Sequence, residues 1–449
     1  LNDAKWIAVT IDMWSSDPKL NFITITAHYT DEQFVVQHSV LETLDFVGEH
    51  CNDNIPERIK DALVRWDMLS SIICVVTDNT HTMLKVGRKL GLDSCVCFSD
   101  FLQTVVKVCT DEPNIAAQLL NVEKTVSHIR ISQQSSDDLH AAQKKLSLTP
   151  HDLVHDAQTY WHSSFYTLQR FVREEQPLSL LFVNQDFLNR LKSTSIVTGI
   201  DFQVLKLLLK LLEPLEELTR EVSSATTVTL SLVLPFLVEI MNLLEPDSSV
   251  LDKMKTSMKT QLEKWFTKPF TNKFYLLACI LDPRFKHFTF ADLNNFSTNK
   301  TAVSTLTDWK SVGARKLAAG LLKDEYERLL LEDGPSTTVV PPSLPPLSIL
   351  DRIVTKQQKA TASNECMNYL SEPEIRTNTC ALIWWNQNKY RYPTIAKIAR
   401  KYLCIPATST PSERIFSLSS SKNNQRSRLL PTSAIDMFFL VKKAGMKKQ

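Results

Sequence analysis

The sequence predicts an α/β fold: a sheet-bearing N-terminal segment, then a long helical stretch, then a C-terminal helical segment. Three observations carry this. The first hundred residues alternate strand and helix patterns, residues 112–332 place apolar side chains three and four apart, and only 8 glycines occur in 449 residues. So few glycines leave little material for the tight turns of an all-β chain, and helices are expected to dominate.

Taken in order, Trp6-Ile7-Ala8-Val9-Thr10-Ile11-Asp12 reads as a buried strand that ends on an acid. Ile23, Ile25, Ala27 and Tyr29 alternate and so share one face of a second strand, and Phe34-Val35-Val36 reads as a third. Ile55, Ile59, Ala62, Leu63 and Trp66 recur at helical spacing over 55–66. Ile72 through Asp78 is again a buried, β-rich run ending on an acid, and a helix follows through Met83 and Leu90. The order is β-β-β-α-β-α, with an acid closing the first and fourth strands.

Residues 201–222 (Val204, Leu207, Leu208, Leu211, Leu215, Leu218) and 228–244 predict long core-facing helices. Residues 333–349 hold five prolines and little charge, the pattern of a flexible or polyproline-like linker. Tyr392-Pro393 sets a helix start, with Ile395, Ile398, Ala399, Tyr402 and Leu403 as its apolar stripe, and Ile405-Pro406 ends it. Ser409 or Thr410 then caps a further helix in which Ser412-Glu413-Arg414-Ile415-Phe416 forms the first turns. The expected division is a sheet-bearing segment 1–111, a helical insertion 112–332, a linker 333–364, and a C-terminal segment 365–449.

Composition narrows the function classes. With 43% hydrophobic and 22% charged residues the chain packs as a soluble globular protein, and it is too long for one core. Its nine cysteines never fall at C-x-x-C spacing, which argues against a disulfide framework or structural zinc and for a reducing compartment. No apolar run is long enough to span a membrane, and no small-molecule substrate is indicated. The chain starts at Leu1 and reads as a fragment. Net charge is only +2, yet Lys422, Arg426, Arg428, Lys442, Lys443, Lys447 and Lys448 face a single acid, Asp436, in the tail. Such a cluster suits phosphates, or is simply a solvated end.

Two constellations invite a metal. Asp12 and Asp78 supply hard oxygens at strand ends, as two-metal phosphodiester chemistry needs, although an Asp there also simply starts a turn. His151-Asp152-Leu153-Val154-His155 puts two imidazoles four apart, but no third ligand is apparent and a helix start with exposed histidines accounts for it.

The blocks T-I-D-M-W-S-S (10–16), V-V-T-D-N-T-H-T-M (75–83), L-A-C-I-L-D-P-R-F-K (277–286) and the long run from Tyr392 to Ser417 resemble, in order, the successive blocks of the hAT transposase superfamily. The likeness is nearest to its zinc finger BED domain-containing members. It implies a ribonuclease-H-like mixed sheet interrupted by an all-helical insertion and followed by a C-terminal hAT dimerisation region.

Carried over by position, Asp12 and Asp78 match the first two of three metal-binding acids. The third is expected directly before Trp384-Trp385, where this chain has Ile383. Glu372 and Glu374 lie too far along the chain to replace it. Cys97-Phe98-Ser99-Asp100 has an acid where the family has a histidine, Tyr160-Trp161-His162-Ser163 keeps a tryptophan but lacks the arginine, and Ser420 replaces a glycine.

The resemblance therefore implies a dimerising nuclear protein that regulates transcription and has lost its Mg²⁺ site and its cutting chemistry. Trp161, Lys422, Arg426 and Arg428 are its candidate DNA contacts. Tyr392, Pro393, Ile395, Ile398, Ala399, Tyr402, Leu403, Pro406, Ser412, Glu413, Arg414 and Phe416 are its candidates for homodimer or heterodimer contact with a related hAT protein. No cofactor is expected in this segment; zinc enters only with a BED finger upstream of Leu1. The alternatives are a metal-dependent transposase or nuclease with an atypical third ligand, and a relic without activity.

Overall fold

A computed structural model describes residues 4–16, 20–46, 55–78, 80–153, 161–192, 195–247, 249–291, 311–332 and 365–409. The expected linker, His155, Ser412, Glu413, Arg414, Phe416, Ser420 and the basic tail with Lys422, Arg426 and Arg428 lie outside these residues.

Strands β1 (Ile7–Ser16), β2 (Leu20–Thr30) and β3 (Val36–Phe46) form an antiparallel meander. Helix α1 (Ile55–Arg65) crosses to β4 (Ile72–Thr77), which lies parallel to β1, and α2 (His81–Leu90) leads to β5 (Ser94–Val96), parallel to β4. The sheet order is β3-β2-β1-β4-β5. The third strand starts later than the sequence suggested. Asp31 Oδ1 accepts the N–H groups of Gln33 and Val35, Phe34 takes a left-handed φ of 60°, and both Phe34 and Val35 therefore belong to the turn.

One face of the sheet behaves as the alternation predicts. Ile7, Val9 and Ile11 of β1 meet Ile23, Ile25 and Ala27 of β2, and Ile55, Ile59, Ala62 and Leu63 of α1 close over them. Thr80 caps α2 by accepting the Met83 N–H, and Gly91, at φ 64°, ends it in the left-handed conformation that favours glycine. The opposite face carries Ala8, Thr10 and Asp12, paired with His28, Thr26 and Thr24. Thr10 Oγ1 lies 3.1 Å from His28 Nε2, and burial lowers the His28 pKa to about 3, so this imidazole is neutral.

The helices continue with α3 (Phe98–Thr110), α4 (Pro113–Ile131), α5 (Gln133–Lys145), α6 (Trp161–Arg173), α7 (Glu175–Phe182), α8 (Gln185–Arg190), α9 (Ser195–Thr198), α10 (Phe202–Val222), α11 (Val233–Leu243) and α12 (Asp252–Phe266). They are followed by α13 (Lys273–Leu281), α14 (Ser311–Glu332), α15 (Glu365–Ser371), α16 (Ala381–Asn388) and α17 (Pro393–Leu403).

Two compact units result. One holds Leu1–Asp100, Val222–Val238 and Thr267–Gln449; the other holds Phe101–Glu221 and Glu239–Phe266. The helical unit is thus shorter than the expected insertion 112–332. Phe274 through Leu281 are buried on every side of α13, and a helix apolar all round must lie inside a core; α13 takes α14 and α17 as neighbours in the sheet-bearing unit.

Within the helical unit, Leu208, Leu211 and Leu215 of α10 are buried as the sequence predicts, Val204 and Leu218 are half-buried, and Leu207 is exposed, its place in the core taken by Leu205; Phe165, Leu168 and Phe171 of α6 are buried as well. Its buried polar pair is satisfied internally, with Gln143 Nε2 donating to Glu174 at 2.8 Å.

Candidate functional site

The last ladder pair between β1 and β4 is Ile11 with Thr77, so Asp12 and Asp78 are the next residues along two adjacent parallel strands; β4 ends there, but β1 does not end on its acid as the sequence suggested, because its antiparallel pairing with β2 continues to Ser16. The register sets them side by side on neighbouring strands. Asp12 is only 7% exposed. Asp78 is half-buried, and its Oδ1 accepts the Thr80 N–H at 3.0 Å and the Thr80 hydroxyl at 2.6 Å, which builds the turn into α2. Asp78 therefore holds the turn that any strand-end Asp can hold and the register position that the chemistry asks for.

A third acid joins them that residue spacing alone did not point to. Cys97 N–H donates to Thr77 O at 2.7 Å, which ties the start of α3 to the end of β4. One turn on, the Asp100 carboxyl is pushed above the ordinary carboxylate range, by burial first and by repulsion from Asp78, against a hydrogen bond with Cys97. Its only signal in the sequence was the acid at the end of Cys97-Phe98-Ser99-Asp100. The chain returns here near the end of the described residues: Phe98 N–H donates to Ala407 O at 2.9 Å, and Ser409 N–H lies 3.5 Å from Cys97 Sγ.

Ile383 lies on the solvent side of its helix. On α16 its neighbour Trp385 is fully buried and donates its indole N–H to Leu281 O at 2.7 Å; Ile383, two residues earlier and on the other side of the helix, is 58% exposed. The bonds that fasten α16 and α17 to the sheet run from Lys389 Nζ to Glu32 O (3.1 Å) and from Arg400 Nε to Thr30 O (3.4 Å). Those carbonyls lie beside the start of β1, whereas Asp12 stands toward its other end.

Glu372 and Glu374 have other work. Glu372 pairs with Arg391. Glu374 accepts the His287 N–H (2.8 Å) and the Thr289 hydroxyl (3.0 Å), bracketing Phe288 in its left-handed conformation. Among the described residues no group of three His, Cys, Asp or Glu is placed to hold a metal ion. Asp78 Oδ1 already accepts twice from Thr80, and burial and repulsion both push the Asp100 carboxyl toward its protonated form, which would make it a poorer Mg²⁺ donor.

The remaining candidates are placed as follows. Trp161, at the start of α6, is 6% exposed, packed on His162 and Phe165 and joined through its backbone N–H to Gln103, so its ring has no open face for a base. His151 is exposed outside any helix, and Asp152 accepts from His140.

In the C-terminal stripe, Tyr392, Ile395, Ile398, Ala399, Tyr402, Leu403 and Pro406 are buried in this chain's own core, and only Pro393 is exposed. The stripe is real, but α13, α14 and β2 use it. The Leu277–Lys286 block is likewise a packing device. Asp282, fully buried, binds the Arg284 guanidinium with both oxygens and accepts the Ser231 hydroxyl at 2.7 Å, and Lys286 Nζ donates to Tyr369 O at 2.8 Å.

A β3-β2-β1-β4-β5 sheet with acids side by side along its two central parallel strands is the ribonuclease-H-like arrangement. Comparison with known proteins gives the particular kind. One family model, the ZBED1 RNase-like domain, matches residues 10–95, and another, the hAT family C-terminal dimerisation region, matches residues 365–443.

Over most of its length the chain is similar to zinc finger BED domain-containing proteins and hAT transposases. It is 22% identical to Zinc finger BED domain-containing protein 4 of Homo sapiens, covering 97% of this chain and 37% of that protein. It is 21% identical to Zinc finger BED domain-containing protein RICESLEEPER 3 of Oryza sativa subsp. japonica, covering 96% and 60%. It is 20% identical to Putative AC transposase of Zea mays, covering 91% and 53%. The chain thus spans between about a third and two thirds of the length of these curated relatives.

Proposed function

We propose that this chain is the body of a host-captured hAT transposase that no longer cuts DNA and serves as a dimerising, DNA- or chromatin-associated regulator in the nucleus. The observation that carries the reading is Asp100. Where the family has a histidine, this chain presses a second carboxyl toward Asp78, and burial and repulsion both favour its protonated form. The buried Trp161, with no arginine before it, supports the same reading.

A second reading, a metal-dependent transposase or nuclease, draws on one specific observation: the described chain reaches Cys97 at Ser409, only four residues before Glu413. One experiment separates the two. Mg²⁺ and Mn²⁺ are titrated against the protein while nicking of a labelled duplex is followed, in the wild type and in Asp78→Ala and Glu413→Gln. The regulator reading expects no metal-dependent nicking. Nicking that both substitutions abolish would establish the enzyme instead.

A further inference from the structure

Ile383, Asn386, Gln387 and Tyr390 stand at i, i+3, i+4 and i+7, so they form one stripe along α16. Lys389 keeps helical angles (φ −60°, ψ −28°), which carries Tyr390 onward in register. All four are exposed, Ile383 at 58% and Tyr390 at 87%, and none is charged, in a chain where 22% of residues are.

The helix beneath them is fixed. Trp385 is anchored on Leu281 O, Asn388 Nδ2 donates to Trp384 O at 2.8 Å, and Lys389 is tied to Glu32 O. An exposed isoleucine and tyrosine at the ends of two amides, on a backbone that loses little freedom when covered, form a preorganised contact.

We propose that this stripe is the docking face for a second copy of the chain, packed about a two-fold axis. Two observations select that partner. An isologous contact lays a surface on itself, so it must be self-complementary. Apolar groups and amides, which both donate and accept, meet that condition, whereas a face of one charge would repel its own copy. The stripe also lies inside the segment that matches the hAT dimerisation region, whose previously expected contact residues are mostly spent in the chain's own core. The helix is short, about 12 Å at 1.5 Å per residue. The stripe is therefore the centre of the interface and not its whole extent.

The proposal rests on the dimer reading above, and the test separates the two. The full chain is run in sedimentation velocity over a concentration series beside Ile383→Lys/Tyr390→Ala. The expected result is a wild-type dimer whose dissociation constant rises about thirtyfold or more in the variant, with circular dichroism unchanged because both positions are exposed. Independently, Asn386→Cys sits near the axis and is expected to yield a disulfide-linked dimer with diamide, beyond any seen in the wild type. A wild-type dimer that the double variant leaves intact and Asn386→Cys does not cross-link overturns the face and spares the dimer. A wild type that is monomeric throughout overturns both.

Discussion

Replacing Asp282 by alanine is expected to unfold the sheet-bearing unit at markedly lower denaturant while leaving the helical unit unchanged. Asp282 is wholly buried and accepts four hydrogen bonds, from Ser231 Oγ (2.7 Å), Arg284 N (3.0 Å), Arg284 Nε (2.9 Å) and Arg284 Nη2 (2.6 Å). The Arg284 side chain is itself only 14% exposed. Removing the carboxylate takes away the two charge-assisted bonds to that guanidinium, and breaking a buried pair from one side costs about 3–5 kcal/mol. This is a large part of the roughly 5–15 kcal/mol that keeps a domain folded.

The matched change Asp282→Leu with Arg284→Met removes both charges, so most of the loss should be recovered. Hydrogen exchange of the α13 and α16 amides through a urea series reads the sheet-bearing unit separately. A loss below about 1 kcal/mol, well short of the cost of an unpaired buried charge, would show that this block is not the anchor described. So would a double variant no more stable than Asp282→Ala.

Three further outcomes are expected. Ile383→Glu adds an acid on an exposed face fastened toward the start of β1, so calorimetry should find no gain in Mn²⁺ affinity; a gain that Asp78→Ala removes would return Ile383 to the acid site. Burial holds the Lys286 pKa down at about 8, below its value in the unfolded chain. Between pH 8 and the ordinary lysine range the unfolded state thus binds the extra proton, stability rises with pH across that window, and Lys286→Met should flatten the rise in urea midpoints. Asp100 is displaced the other way: its raised pKa makes the folded state hold the proton longer, so stability falls as pH climbs from the ordinary Asp range through the raised value. Asp100→Asn should remove that fall, and an unchanged profile would mean that Asp100 is not held above the ordinary carboxylate range.

The parts of the fold written in local periodicity were legible. Ile23, Ile25 and Ala27 alternate because one face of β2 is core, and Ile395, Ile398, Ala399 and Tyr402 recur at helical spacing because one face of α17 is. What a stripe packs against is not encoded in its spacing, so the α17 stripe suits the chain's own core and a second chain alike, and it is α13, α14 and β2 that cover it. β5 is three residues long, too short to show any period. Phe34 is a bulky residue in a left-handed conformation, which no propensity favours; only the Asp31 side chain, reaching forward, explains it. For the site, Asp12 and Asp78 were visible from pattern and resemblance. Asp100 required knowing that β5 lies beside β4.

The covering of the second sheet face has a consequence for how the protein is made. Lys389 bonds to Glu32 across 357 residues, Arg400 to Thr30 across 370, and Ser409 to Cys97 across 312. The five strands are synthesised well before α16 and α17; Lys389 follows the first of these helices and Arg400 lies within the second. At ~5–20 residues per second on the ribosome, some 300 residues impose a wait of about 15–60 s. During that interval the apolar face of the nascent sheet is already covered by α1, while the face that carries Ala8, Thr10 and His28 still lacks these long-range bonds. A chain that stops before α17 therefore lacks the Arg400 bond to Thr30 and the Ser409 contact with Cys97, and its sheet should be the more readily unfolded for it.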